Sequence, residues 1–221
     1  MIGALMRMDL QSILVTVIAV VLAMSVHEMA HGLVSWMLGD PTAKLRGRLS
    51  LNPFAHIDWT GLLCLLLFGF GWAKPVPIDP SYYKDEKTGI IWTSFAGPVA
   101  NFLLSFVCLL IYTLLSVFAG SFVMGPVGSF IIAVLMNTAV ISTGFGIFNL
   151  IPIPPLDGAK IFWAFLPDRD YYRIMRGSQW TTLIFIFLIA SGILNGPLGQ
   201  MRQTLLSWML QACVSLVSLF V

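Results

Sequence analysis

The sequence predicts an all-α polytopic membrane protein: four to five transmembrane helices, a re-entrant segment and a short membrane-associated β strand or hairpin, within one domain over residues 1–221. Three observations predict it. Of the 221 residues, 58% are hydrophobic and only 10% charged, more apolar surface than one water-soluble core of this size can hide. Four segments, about 11–38, 91–119, 128–150 and 179–195, reach or approach the roughly 20 residues a helix needs to cross about 30 Å of hydrocarbon. Residues 59–72 are equally apolar but number only 14, with glycines at 61, 69 and 71; as a helix they cover about 21 Å, which reads as re-entrant.

The other elements follow from periodicity. Residues 44–51, KLRGRLSL, alternate Lys44, Arg46, Arg48 and Ser50 against Leu45, Gly47, Leu49 and Leu51, a period of two that predicts a strand or hairpin. Its alternative is an amphipathic surface loop whose basic residues meet anionic headgroups. From about 200 to 220, Gln200, Gln203, Ser207, Gln211, Ser215 and Ser218 trace one stripe of a helix, which either spans or lies at the interface. The apolar run after MIGALMRMDL is too long for a signal-peptide core and reads as a retained span. Cys64, Cys108 and Cys213 are isolated in apolar surroundings, so neither a zinc knuckle nor a disulfide framework is indicated. A formal net charge of +2, with no basic run interleaved with aromatics, excludes a nucleic-acid partner. The lipid bilayer is the partner the composition does require.

Charge also sets the topology. If 59–72 does not cross, one face receives Lys44, Arg46, Arg48, Lys74, Lys84, Lys87, Lys160, Arg169, Arg173 and Arg176, ten of the twelve Lys and Arg, leaving Arg7 and Arg202 on the other. The positive-inside rule makes the ten-residue face cytoplasmic. The N-terminus then lies outside, and the expected location is a prokaryotic cell membrane.

Chemistry concentrates in HEMAH. His27 and His31 are four residues apart, one helical turn along the same face, and Glu28 stands beside them. Two imidazoles at that spacing can hold Zn²⁺, with the carboxylate placed to take a proton from an attacking water. Ionisable residues inside a span are costly and mark functional sites; the alternative, helix packing with hydrogen bonds to neighbouring spans, suits a lone histidine better than two with a glutamate between them. A catalytic zinc needs a third ligand. His56 and several acids are available, but NLIPIPPLDG, residues 149–158, ends a span with three prolines. They force the backbone to unwind where Asp157 appears.

HEMAH and this NLIPIPPLDG stretch together resemble the site-2 protease family of intramembrane zinc metalloproteases. That family pairs HExxH on one span with an LDG motif at the end of a later one. AGPVANF, with Gly97 and Asn101, is similar to the GxxxN pattern that members carry between the two. The resemblance implies His27, His31 and Asp157 as zinc ligands, Glu28 as catalytic base and the transmembrane segments of other proteins as substrates. It also implies a compact member, since family PDZ and CBS modules find no counterpart. Asp157 can meet the histidines only if an odd number of crossings separates them, which agrees with a re-entrant 59–72.

Hydrolysis in a membrane requires the target helix to unwind and its amides to find other partners. Leu45, Gly47, Leu49 and Leu51 are therefore expected to lie on a substrate-pairing edge, and residues 71–79 to line a polar approach. Asn149 and Asn101 are candidate donors to a substrate carbonyl or oxyanion, the alternative being span-to-span hydrogen bonding. His56 and Asp58 are expected to cap or anchor the re-entrant segment. Two rivals remain. A prenyl-protease-like HExxH hydrolase would use a glutamate as third ligand, and a transporter or structural bundle would tolerate loss of Glu28.

Overall fold

The computed structural model describes residues 9–68, 72–175, 185, 187–188 and 191–220. Among them, three helices are long and apolar enough to cross a membrane: α1 (Leu10–Met37), α4 (Glu86–Phe118) and α6 (Pro126–Asn149). Between α1 and α4 lie α2 (Thr42–Leu45) and α3 (Trp59–Phe68), and α5 (Gly120–Val123) links α4 to α6. After α6 come α7 (Asp157–Trp163), α8 (Asp168–Met175) and α9 (Asn195–Val217). Caps fix the starts: Asp9 accepts from Ser12 N–H at α1 and Asp85 from Thr88 N–H at α4, each satisfying an otherwise orphaned donor.

Lipid supplies no hydrophobic drive between spans, so close approach by small residues decides the packing. The buried residues of α1 include Val15, Ala19, Ala23, His27, His31 and Ser35, one every fourth position. Those of α4 include Gly89, Thr93, Gly97, Asn101, Ser105, Leu109 and Thr113, again every fourth. α6 presents Thr138, Ser142 and Gly146 beside Ala139, Thr143 and Ile147. Where α4 meets α6, Ser105 Oγ donates to the Ala139 carbonyl at 3.0 Å and pairs with Thr143 Oγ1 at 2.7 Å, and Ser142 Oγ donates to the Asn101 carbonyl at 2.9 Å. His27 and His31 thus sit on the same stripe that holds α1 in the bundle.

The two sides of the segment expected to be re-entrant meet at its base. Ile57 bridges antiparallel to Ala73, and Lys74 N–H donates to the His56 carbonyl at 2.9 Å, so the excursion through α3 ends where it began. Asp58 accepts from Gly61 N–H at 2.9 Å and caps α3, the anchoring role expected of it. His56 is buried, its Nε2 against the Ser50 carbonyl at 2.7 Å.

No strand forms over 44–51, which corrects the sequence reading; that lone Ile57–Ala73 bridge is the β pairing among the described residues. Gly47 has φ +64°, its N–H bonds the Lys44 carbonyl and Arg48 N–H bonds the Ala43 carbonyl. That is a Schellman close to α2, so the glycine in the alternating pattern ends a helix instead of continuing a strand. Leu45 and Leu51 are exposed, while Arg48, far from reaching lipid, is buried and donates to the Lys74 carbonyl at 2.6 Å.

Of the span expected over 179–195, residues 179–184, 186, 189 and 190 lie outside the described residues. α9 packs lengthwise on α4 and α6 through Cys213, which is buried with Cys108, Leu109 and Ala139. Its first turns lie near Gly144, Phe148 and Leu150 at the end of α6. Arg202 therefore stands beside Gly144, on the half of the bundle where α6 ends, and not on the opposite face to which the charge count assigned it.

Candidate metal centre

The end of α1, the start of α4 and the end of α6 converge, as the odd-crossing condition requires. His27 Nε2 and His31 Nε2 lie 3.0 Å apart, and Asp157 Oδ2 is 3.2 Å from the first and 3.0 Å from the second. Ligands held tetrahedrally at about 2.0–2.1 Å from one ion sit about 3.3 Å from each other, so the three atoms surround a common point. All three residues are buried.

The donor chemistry fits a cation. His31 Nδ1 lies 2.6 Å from the Thr93 carbonyl, an acceptor only, so Nδ1 carries the proton and Nε2 presents a lone pair. That lone pair faces a carboxylate oxygen and a second imidazole nitrogen. Three electron-pair donors at this separation repel unless positive charge, a proton or a metal ion, occupies their focus. Lys160 Nζ pairs with Asp157 Oδ1 at 3.2 Å, which leaves Oδ2 to the focus.

Gly97 makes the convergence possible. A Cβ there would stand 2.5 Å from both His27 Cε1 and His31 Nε2, inside van der Waals contact. The glycine of the GxxxN pattern thus makes room for the imidazoles themselves. Gly97→Ala is expected to lower metal content at limiting metal by at least about 10-fold, read by metal analysis of purified protein; full retention contradicts the contact.

Glu28 is half-buried beside the cluster, and its Oε2 accepts from Val76 N–H at 2.8 Å. Val76 belongs to the extended segment 73–79, where Pro75 and Pro77 have no N–H and Lys74 N–H is spent on His56. One oxygen of Glu28 is fixed by the backbone, and among the described residues the other has no hydrogen-bond partner. Asn101 is fully buried, and among the described residues neither of its side-chain polar atoms has a partner. Asn149 is buried too, but its amide donates to the Phe145 carbonyl of its own helix at 3.0 Å, not toward the cluster. Of the expected edge residues, Leu49 alone approaches the site, packing with Val76 against Gly32. An open cavity of about 550 Å³ between α1, α3, α6 and α9 is lined by Met24, Ser25, Ile57, Trp72 and Phe145. The Phe145 ring stacks edge-on to His27 at 4.9 Å, so a wall of this mostly apolar space touches the cluster.

The Thr93 carbonyl, Val76 N–H and Lys160 were not picked out by sequence reasoning. The first two are backbone groups with no side-chain signature; Lys160, three residues after Asp157 on a helix, was open to discovery by spacing alone.

Comparison with known proteins agrees with this geometry. The chain is 32% identical over 188 residues, 83% of its length and 81% of the relative's, to the "Putative zinc metalloprotease YwhC" of Bacillus subtilis (strain 168). It is 26% identical over 180 residues, 79% of its length and 66% of the relative's, to the "Putative zinc metalloprotease Rip2" of Mycolicibacterium smegmatis. It is equally identical over 179 residues, with the same coverage, to the protein of that name in Mycobacterium tuberculosis (strain H37Rv). No solved structure matches it. The description "Peptidase family M50" matches residues 15–191, a stretch that contains HEMAH, Gly97 and Asp157 alike, and the chain belongs to that family, the site-2 protease family that its motifs resemble.

Proposed function

We propose that this protein is a zinc-dependent intramembrane endopeptidase that cuts peptide bonds within transmembrane segments of other membrane proteins, near the cytoplasmic face. The observation that carries the proposal is the buried focus of His27, His31 and Asp157, with Glu28 beside it, among three helices long enough to cross a membrane. His27, His31 and Asp157 would hold Zn²⁺, which when bound supplies Lewis acidity and lowers the pKa of a coordinated water toward neutrality.

The remaining chemistry belongs to the chain. Glu28, oriented by Val76 N–H, takes the proton from the attacking water and returns it to the leaving amine. Asn101, its amide unspent, is the stronger candidate to donate to the substrate carbonyl; Asn149 would first have to release Phe145. The apolar cavity against Phe145 has the size and lining to take substrate side chains. For the unwound substrate backbone, the extended segment 73–79 beside Glu28 offers carbonyls with few competing donors, and Leu49 packs beside its Val76 against Gly32.

Orientation rests on charge. The segments at the site end, 38–85 and 150–175, carry Lys44, Arg46, Arg48, Lys74, Lys84, Lys160, Arg169 and Arg173, which favours a cytoplasmic site. The test is co-reconstitution in liposomes with a single-span reporter protein, followed by mass determination of the products. Cuts inside the hydrophobic segment, toward its cytoplasmic end, are expected. Cuts confined to water-exposed loops would contradict the proposal.

A further inference from the structure

Beyond the ligands and the base, the site end of the bundle holds one carboxylate that contacts neither and is fully buried: Asp40, just past the end of α1. A buried charge is costly unless compensated, and among the described residues Asp40 forms no ion pair. It is compensated by three donors instead. Ser35 Oγ–H and Asp79 N–H donate to Oδ2, and Thr42 N–H to Oδ1, each at 2.8 Å. Burial pushes the carboxyl upward, but these hydrogen bonds, that from Asp79 N–H first, outweigh it and hold the group below its ordinary value.

Two hydrogen-bonded arms leave this carboxylate. In the first, Ser35 Oγ lies 2.7 Å from Tyr83 Oη, Tyr83 Oη lies 3.1 Å from Thr93 Oγ1, and the Thr93 carbonyl holds His31 Nδ1. An ionised carboxylate can only accept, so it sets the polarity of the chain. Ser35 must donate to Asp40, Tyr83 to Ser35, and Thr93 to Tyr83. The hydroxyls are locked in one direction, and residue 93 with them. In the second arm, Asp79 N–H ties the extended segment 73–79 to Asp40, and that segment presents Val76 N–H to Glu28.

We propose that Asp40 is a positioning residue, one buried carboxylate that sets both the imidazole of His31 and the carboxylate of Glu28 through these separate arms. The inference rests on the reading of His31 as ligand and Glu28 as base. Outer partners of metal-bound histidines commonly carry 10–100-fold of metal affinity, and Asp40 stands behind such a partner.

Two variants test it. Asp40→Asn keeps the shape but puts an NH₂ where an oxygen accepted, so one donor faces another. Tyr83→Phe keeps the ring, for which Gly89 leaves room, and cuts the first arm only. Zinc affinity is read by competition with a chromophoric chelator, and cleavage of the single-span reporter is read at saturating zinc. Asp40→Asn is expected to weaken zinc about 10–100-fold and, at saturating zinc, to lower kcat about 10-fold or more with KM unchanged. Tyr83→Phe is expected to weaken zinc while kcat at saturating zinc stays within about twofold. Wild-type zinc affinity in a folded Asp40→Asn variant overturns the inference, as does a loss of thermal stability with neither affinity nor kcat changed. Should Asp40→Asn fail to fold, unchanged zinc affinity in Tyr83→Phe overturns it. Absence of zinc binding by the wild-type chain is a separate result, one that removes the metal-centre reading itself.

Discussion

Glu28→Gln is expected to leave zinc bound and to lower kcat by about 10²–10⁴-fold. The amide keeps the size of the carboxylate and its carbonyl oxygen can still accept from Val76 N–H, the contact that fixes Glu28 Oε2 at 2.8 Å. What it loses is the ability to take a proton. Because the proposed ligands His27, His31 and Asp157 are untouched, zinc stoichiometry should equal that of the wild type, and KM should move little. A substrate that enters the apolar cavity would bind without being cut, so membranes carrying this variant are the place to isolate physiological substrates. Near-normal turnover in Glu28→Gln would favour a transporter or structural bundle, and would leave the buried cluster without a catalytic partner.

Asp157→Ala acts one step earlier. It removes a proposed ligand and breaks the pair with Lys160 at 3.2 Å, leaving two imidazoles whose Nε2 atoms are 3.0 Å apart without the anion that would balance a divalent ion between them. Zinc affinity should fall by more than about 100-fold, beyond what loss of an outer partner costs, and cleavage should disappear with it. Excess zinc should restore little activity, because the remaining pair no longer fixes the ion. Retained zinc and activity would point to a glutamate as third ligand, the pattern of the prenyl-protease-like alternative.

Where the sequence was legible, the signal came from spacing that physics restricts. Two imidazoles four apart on a helix face one point, and prolines at 152, 154 and 155 end α6 so that Asp157 can turn back toward them. The shortness of 59–72 suggested a re-entrant element, and the bridge between Ile57 and Ala73 brings its two flanks together. The strand at 44–51 failed because alternation is a weak pattern over eight residues, and Gly47, counted as one of its apolar positions, instead supplied the left-handed close of α2. Arg202 was assigned to the far side because the charge count assumed one full crossing before it; its contact with Gly144 depends on how α9 docks, which no local pattern encodes. The holders of the site were illegible for another reason. His31 is fixed by a carbonyl and Glu28 by an amide, and backbone groups look alike at every position. Only packing chooses Thr93 and Val76, through the fourth-residue stripe of α4 and the segment anchored on Asp40.

Zinc-edge X-ray absorption on the purified wild-type protein most directly tests whether one ion joins α1 to the end of α6. One zinc per chain is predicted, in a shell of nitrogen and oxygen at about 2.0–2.1 Å, with the multiple scattering of two imidazoles and no sulfur. A sulfur-containing shell, a single imidazole, or protein that takes up no stoichiometric zinc would contradict it.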